Sequence, residues 1–329
     1  MLEVLRLNSE WLRDLLMLEE FKTFALIDNC LRVGFFDLLK KPKSIEEISN
    51  ELNLNLKVVE AICEFLKFKN LLIEDSGKFS LSELSKNFLT SDSSYSIIQL
   101  FDEKREEIST WLNLEKFLRG ESKRKENEFF KRRIIYLGRM SLLKDLKIVF
   151  KIAEYREFRK AKRLLDLGGG HGLYAYAFTL LNEKLEATVF DLPEVVKSAK
   201  EFLKNFDAKR VNFAEGDFFK DDLGNGYDVV FSSFNPGGKR AELIPKIHKA
   251  LNLGGIYVNR QFFPREGFTI EDLEWNLWGF ESLKKGFKAY TFEGDVAFDE
   301  YLSKLKDVGF EILDVFGEDY RVIVAKKVA

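Results

Sequence analysis

Residues 164–172 read LLDLGGGHG, an apolar run of strand character that passes directly into three consecutive glycines and then into a helical pattern beginning near Leu173. Glycines at such a junction let the backbone take positive φ and let a ligand approach the N–H groups at a helix start. The spacing is GxGxG. A dinucleotide fingerprint would place glycine at 173, where this chain has leucine, which counts against a nicotinamide-dependent oxidoreductase. Two further features lie at fitting distances. Asp191, 21 residues beyond Gly170, closes the next strand pattern in FDLPEV, where a carboxylate can accept from ribose hydroxyls. GDFF at 216–219 closes the third, where Asp217 can accept from an adenine amino group and Phe218 can pack on the ring. Together the three strand ends predict an adenosine pocket; the plainer alternative makes both aspartates helix caps.

Working outward, the runs LLDL, ATVFD, VNFAEGD, YDVVFSSF and GGIYVNRQFF alternate with the helical segments DLPEVVKSAKEFLKNF and ELIPKIHKALN. That alternation predicts an α/β fold with a doubly wound parallel sheet. The end changes character: FDEYLSKLKDVGFEIL is a helix leading into a strand, and DYRVIVAKK a further strand after a turn at 317–319, so an antiparallel hairpin closes the chain. Upstream, residues 1–40 carry apolar positions at helical spacing. SIEEISNELN, LKVVEAICEFLKFKNLL and IEDSGKFSLS, with a Ser76–Gly77 turn, then spell helix, turn, helix and hairpin, a winged helix in a mostly α domain. The expected divisions are 1–95, a helical connector over 96–160, and 161–329.

A chain of 329 residues with 46% hydrophobic content can bury a sizeable core, which excludes a disordered or fibrous protein. Across residues 44–90 eight acids stand against five lysines, so the winged helix should repel nucleic acid and does not read as a DNA-binding regulator. Cys30 and Cys63 have neither CxxC spacing nor the number for a disulfide framework, and no metal site is expected. Reduced thiols, together with an N-terminal stretch too broken by charge for a signal peptide or a membrane span, predict a cytoplasmic protein without membrane insertion. The apolar helices of the N-terminal domain predict a homodimer built through it.

The run LDLGGGHG, DLPEV, GDFF, YDVVF and LGG resembles the class I small-molecule O-methyltransferases of the caffeate and hydroxyindole type. LRVGFFDLLKKPKSIEEISNELNLNLKVVEAICEFLKFKNLL resembles that family's winged-helix dimerisation domain, and TWLNLEKFLRGES its following helical segment, so the likeness covers nearly the whole chain. The resemblance implies a Rossmann-like methyltransferase sheet, S-adenosyl-L-methionine as cofactor and a small-molecule substrate. Carried over residue by residue, Gly168 and Gly170 would line the methionine part, Asp191 and Leu192 the ribose, and Asp217 and Phe218 the adenine. Ser233 stands where the family often has lysine. Met140, Phe234, Asn235, Trp275, Trp278 and Tyr290 would surround the acceptor.

The chain also departs from that pattern. The O-methylating members carry a histidine base in an HDW motif after the fourth strand, where this chain has the shorter FNPGGKRAE. His171 lies in the glycine turn and His248 inside IPKIHKAL, while Arg260 and Ala289 occupy the places of the two acids that orient the family's base. A histidine base contributes about 10²–10⁴-fold, so its loss points to an acidic or preactivated acceptor, such as an enolisable carbon, a thiol or an electron-rich ring. Positioning alone can still supply about 7–11 kcal/mol. No catalytic group is identified; Arg260 and Tyr290 are the candidates. Arg260, Arg265, Lys284, Lys285 and Lys288 together could meet a substrate carboxylate or phosphate. A protein that binds the cofactor without methylating, a repurposed catalyst or a ligand sensor, is the alternative.

Overall fold

The computed structural model describes residues 18–115, 119, 129–263, 267–277, 284–318 and 320–329, so the helical pattern of the first seventeen residues, Arg265 and Trp278 lie outside the described residues. Contacts divide the chain into two compact units after Glu107.

In the first unit, Ser44 caps the helix Ile45–Leu52 in a capping box: its hydroxyl accepts from the Glu47 N–H, and the Glu47 carboxylate accepts from the Ser44 N–H. Asn53, at φ 51°, ends that helix, and Asn55 caps the next, Leu56–Phe68. Strands β1 (Leu72–Asp75) and β2 (Lys78–Leu81) pair antiparallel across Ser76 and Gly77. Both turn residues have positive φ, as a tight hairpin requires. Ile48, Val59, Cys63, Leu66 and Phe79 close one core with Cys30, and both cysteines are free thiols.

The second unit is a seven-stranded sheet in the order β5-β4-β3-β6-β7-β9-β8. Strands β3 (Arg163–Leu167), β4 (Glu186–Asp191), β5 (Val211–Glu215), β6 (Tyr227–Ser233) and β7 (Leu251–Gln261) run parallel. The closing pair β8 (Phe310–Phe316) and β9 (Arg321–Lys327) is antiparallel, with β9 inserted between β7 and β8. Strict alternation splits the core: Val229, Phe231, Ile256, Val258, Val322 and Val324 face one side of the sheet, and Val230, Tyr257, Ile323 and Ala325 the other. Ile148, Val149, Ile152, Phe158 and Ala161 join the first of these cores. Strand order reverses between β3 and β6, and ligands of open α/β sheets bind at the carboxyl ends beside such a switch point. Among the described residues no helix is long and apolar enough to cross a membrane.

Candidate active site

The glycine turn leaves β3 at the switch point and opens the helix Leu173–Leu181. Gly168 and Gly170 both have positive φ, at 63° and 52°. Asp191, the last residue of β4, reaches back across the turn: its Oδ2 accepts from the Gly170 N–H at 2.9 Å and its Oδ1 from the Leu192 N–H at 2.8 Å. Burial raises its pKa, and those two N–H groups work against the rise by stabilising the carboxylate. Leu192, beside it, is exposed. Asp217 lies two residues past the end of β5, its carboxylate 2.9 Å from the Lys220 ammonium and held below the usual range by that contact. Phe218 packs tilted against Phe219 and lies under Gly237, where a Cβ would come within 2.8 Å of its ring. The helix Phe129–Leu143, which carries half-buried Met140, lies against the turn: a Cβ on Gly138 would meet His171 Cβ at 3.0 Å.

Across the crevice, the ends of β6 and β7 carry a column of rings. Phe262 stacks on Phe234 at 4.4 Å between centroids on one side and on Tyr290 at 4.9 Å on the other, and Trp275 lies 5.7 Å beyond Tyr290. Phe234 and Tyr290 both have left-handed backbone, at φ 52° and 58°. For non-glycine residues that conformation is costly, and such strain gathers at functional sites. Arg260 continues the column. Its guanidinium lies 4.3 Å from the Phe234 ring and 4.1 Å from the Tyr320 ring, donates to the Tyr174 hydroxyl at 2.9 Å and pairs with the Asp145 carboxylate. It is fully buried. Arg260 is therefore a buried cation already paired with Asp145, whose own side chain reaches solvent.

The segment in place of the base motif is closed by packing. Asn235, expected in the acceptor pocket, is held as a clamp: its amide donates to Leu167 O at 2.6 Å and Ser232 Oγ at 2.9 Å, and its carbonyl accepts from the Gly237 N–H. A Cβ on Gly238 would fall 1.9 Å from Gln261 Nε2, so no side chain fits there. His171 has Nδ1 committed to the Leu173 N–H, and burial pushes its imidazole down to about 4. His248 sits on the helix Ile244–Ala250, edge-on to Phe310. The lysines expected to act with Arg260 are dispersed: Lys288 pairs with Asp272, Lys284 with Glu293, and Lys285 donates to the Trp275 carbonyl.

Three residues were not singled out from the sequence. Asp166, within LDLGGG, is 1% exposed; burial pushes its carboxyl up to about 7, and Oδ2 has no hydrogen-bond partner among the described residues. An acid between two leucines of a buried strand is a signal in itself. Asp145 and Tyr174 are the partners of Arg260; an arginine inside IYVNRQFF calls for such partners without identifying them.

The parallel sheet closed by an inserted antiparallel strand, with glycine turn and acidic strand ends gathered at one switch point, defines the class I methyltransferase architecture. A family model described as an O-methyltransferase domain matches residues 125–258. The chain is 38% identical over 306 residues to an uncharacterised protein of Methanocaldococcus jannaschii, covering 89% of this chain and 82% of that one. It is 27% identical over 256 residues to acetylserotonin O-methyltransferase of Gallus gallus, covering 68% and 71%. The solved structure of human N-acetylserotonin methyltransferase superposes with a TM-score of 0.64 at 20% identity, over 98% of this chain and 99% of that one. The chain belongs to the family of S-adenosylmethionine-dependent O-methyltransferases.

Proposed function

We propose that this enzyme methylates an acidic or preactivated small molecule without a histidine base, and that the acceptor lies against the Phe262–Tyr290 face. The observation that carries this reading is the closed turn Pro236–Lys239, where Gln261 fills the space a side chain on Gly238 would need. The remaining candidates for a base are poor ones. An imidazole held near 4 takes a proton weakly, and burial pushes the Tyr174 hydroxyl up to about 12, so it stays protonated at neutral pH. When bound, S-adenosylmethionine supplies a methyl group on a cationic sulfur. The chain's own residues then bind and orient: Asp191 and Leu192 at the ribose, Asp217 and Phe218 at the adenine, and Gly168, Gly170 and Ser233 at the methionine part. The unpartnered Oδ2 of Asp166 supports this placement, because a buried carboxylate oxygen beside the turn favours a cationic group. Met140, Phe234, Trp275 and Tyr290 exclude water and hold the acceptor in line. A homodimer through the N-terminal unit is part of the proposal, supported by Phe21, Leu56, Val58, Phe68 and Ile73, all large apolar side chains left exposed there.

Calorimetry with S-adenosylmethionine, S-adenosylhomocysteine and NAD, followed by an acceptor panel of thiols, enolisable ketones and phenols run from pH 6 to pH 9, tests the reading. Binding of the first two only, with rates that track each acceptor's own ionisation, is expected. A rate that falls with a protein group of pKa 6–7 and vanishes in a histidine variant would sink the base-free assignment. Binding with no transfer to any acceptor would favour a sensing role instead. Light scattering of the full chain should give twice the chain mass.

A further inference from the structure

Lys239 ends the closed turn Pro236–Lys239 and is only 2% exposed. A lysine is almost never buried so completely unless its ammonium is paired, and here it has two partners. The ammonium meets the Asp295 carboxylate at 2.9 Å and donates to the Tyr290 carbonyl, 51 positions away. Its neighbourhood adds further ties: the Val296 N–H donates to Lys239 O at 3.0 Å, and the next residue, Arg240, donates to Glu293 O at 2.9 Å. The turn that follows β6 therefore holds the segment from 290 to 296.

What that hold fixes is the peptide group after Tyr290. Its carbonyl is taken by Lys239, and its N–H, that of Thr291, donates to Lys288 O at 3.3 Å. Tyr290 has φ 58°, a left-handed conformation that a residue with a side chain keeps only where its surroundings enforce it. From the other direction, Asp272 on the helix Ile270–Leu277 accepts from the Ala289 N–H at 2.8 Å. Asp272 thus stops one residue short, whereas Lys239 bonds the Tyr290 backbone itself. The ring so presented stacks on Phe262 at 4.9 Å between centroids. Relaxation of residue 290 to ordinary right-handed backbone would swing that ring away.

We propose that Lys239 is a positioning residue for methyl transfer: by holding the Tyr290 carbonyl it keeps the left-handed backbone that seats the ring against Phe262, and so sets the width of the acceptor slot. Asp295 balances the charge of the ammonium and does not itself place the ring. The inference rests on the proposed acceptor face, and it names a residue outside the slot that governs the slot's shape.

The test is fluorine NMR of the full chain labelled with 3-fluorotyrosine, the Tyr290 resonance being assigned by its loss in Tyr290→Phe. In the unsubstituted protein this resonance is expected away from the position of free fluorotyrosine, because the Phe262 ring lies over it. Asp295→Asn removes the ion pair, keeps an oxygen for the Phe292 N–H, and should leave the resonance in place. Lys239→Met combined with Asp295→Asn removes the carbonyl contact as well and should move the resonance to the free position, with unfolding still cooperative. Should that pair not fold, Lys239→Gln with Asp295→Asn, a polar pair whose amide ends one bond short of the carbonyl, should move it the same way. A resonance that Asp295→Asn alone displaces to the free position, or that stays in place in either double variant, would overturn the assignment. The signal is read without an acceptor, so its failure leaves the acceptor face standing; acceptor-panel rates unchanged in Tyr290→Gly would instead remove the face and leave the positioning result intact.

Discussion

On the β3–β5 side of the crevice, short turns present open backbone, one oriented carboxylate in Asp191 and one buried carboxylate oxygen without a partner in Asp166. On the β6–β7 side, rings, a buried arginine paired with Asp145 and an amide clamp occupy the corresponding space, while Ser233 Oγ, Asn259 Oδ1 and Arg260 Nε have no hydrogen-bond partner among the described residues. The first side is built to be completed by a ligand, and its polar groups cost stability until one arrives. The second is filled mainly by rings and offers a shaped, largely apolar face. On the proposed reading, the difference separates a shared task, holding a cofactor, from an individual one, choosing an acceptor.

Three substitutions test whether the two sides are separable. The largest effect is expected on the open side, from Asp166→Asn. Burial raises the folded-state pKa of Asp166 from the ordinary carboxylate value to about 7, so its contribution is fully present below about pH 4 and is lost as pH rises to 7. The wild type should lose up to about 4 kcal/mol over that interval relative to the variant, read as the difference in urea unfolding between pH 4 and pH 8. A constant difference across that range would show that the carboxyl titrates normally. Next, on the packed side, Asp145→Ala leaves the buried Arg260 cation without its countercharge. Unfolding free energy should fall by about 3 kcal/mol, and the double variant with Arg260→Met should recover most of the loss. Cofactor affinity should stay within about threefold; a parallel collapse of affinity would mean the two sides are one unit. The smallest effect is expected from Asp191→Ala. Loss of charge-assisted hydrogen bonds worth roughly 2 kcal/mol should weaken S-adenosylmethionine about thirtyfold, measured by calorimetry.

The contrast also explains what could be read in the sequence. LDLGGGHG, FDLPEV and GDFF are local signals, each carrying its glycine or acid at a strand end, and alternation of apolar residues along YDVVFSSF and GGIYVNRQFF places the sheet. The packed side is assembled over long separations. Arg260 meets Asp145 across 115 positions, and Lys239 meets the Tyr290 carbonyl across 51, so residue type alone could mark Arg260 as unusual without showing that it is sealed. Asn235 shows the same separation: the Leu167 O that it donates to lies 68 positions away.

The ring column constrains how this enzyme can change. Glycine or asparagine would suit the left-handed backbone at 234 and 290, yet only an aromatic ring fills the space on either side of Phe262. Backbone preference and packing pull toward different residues, so the single-step replacements open to these positions are other rings. Acceptor preference can therefore drift among phenylalanine, tyrosine, tryptophan and histidine while the shape of the slot is inherited intact. A histidine gained at 290 would return an imidazole to the site from the opposite wall.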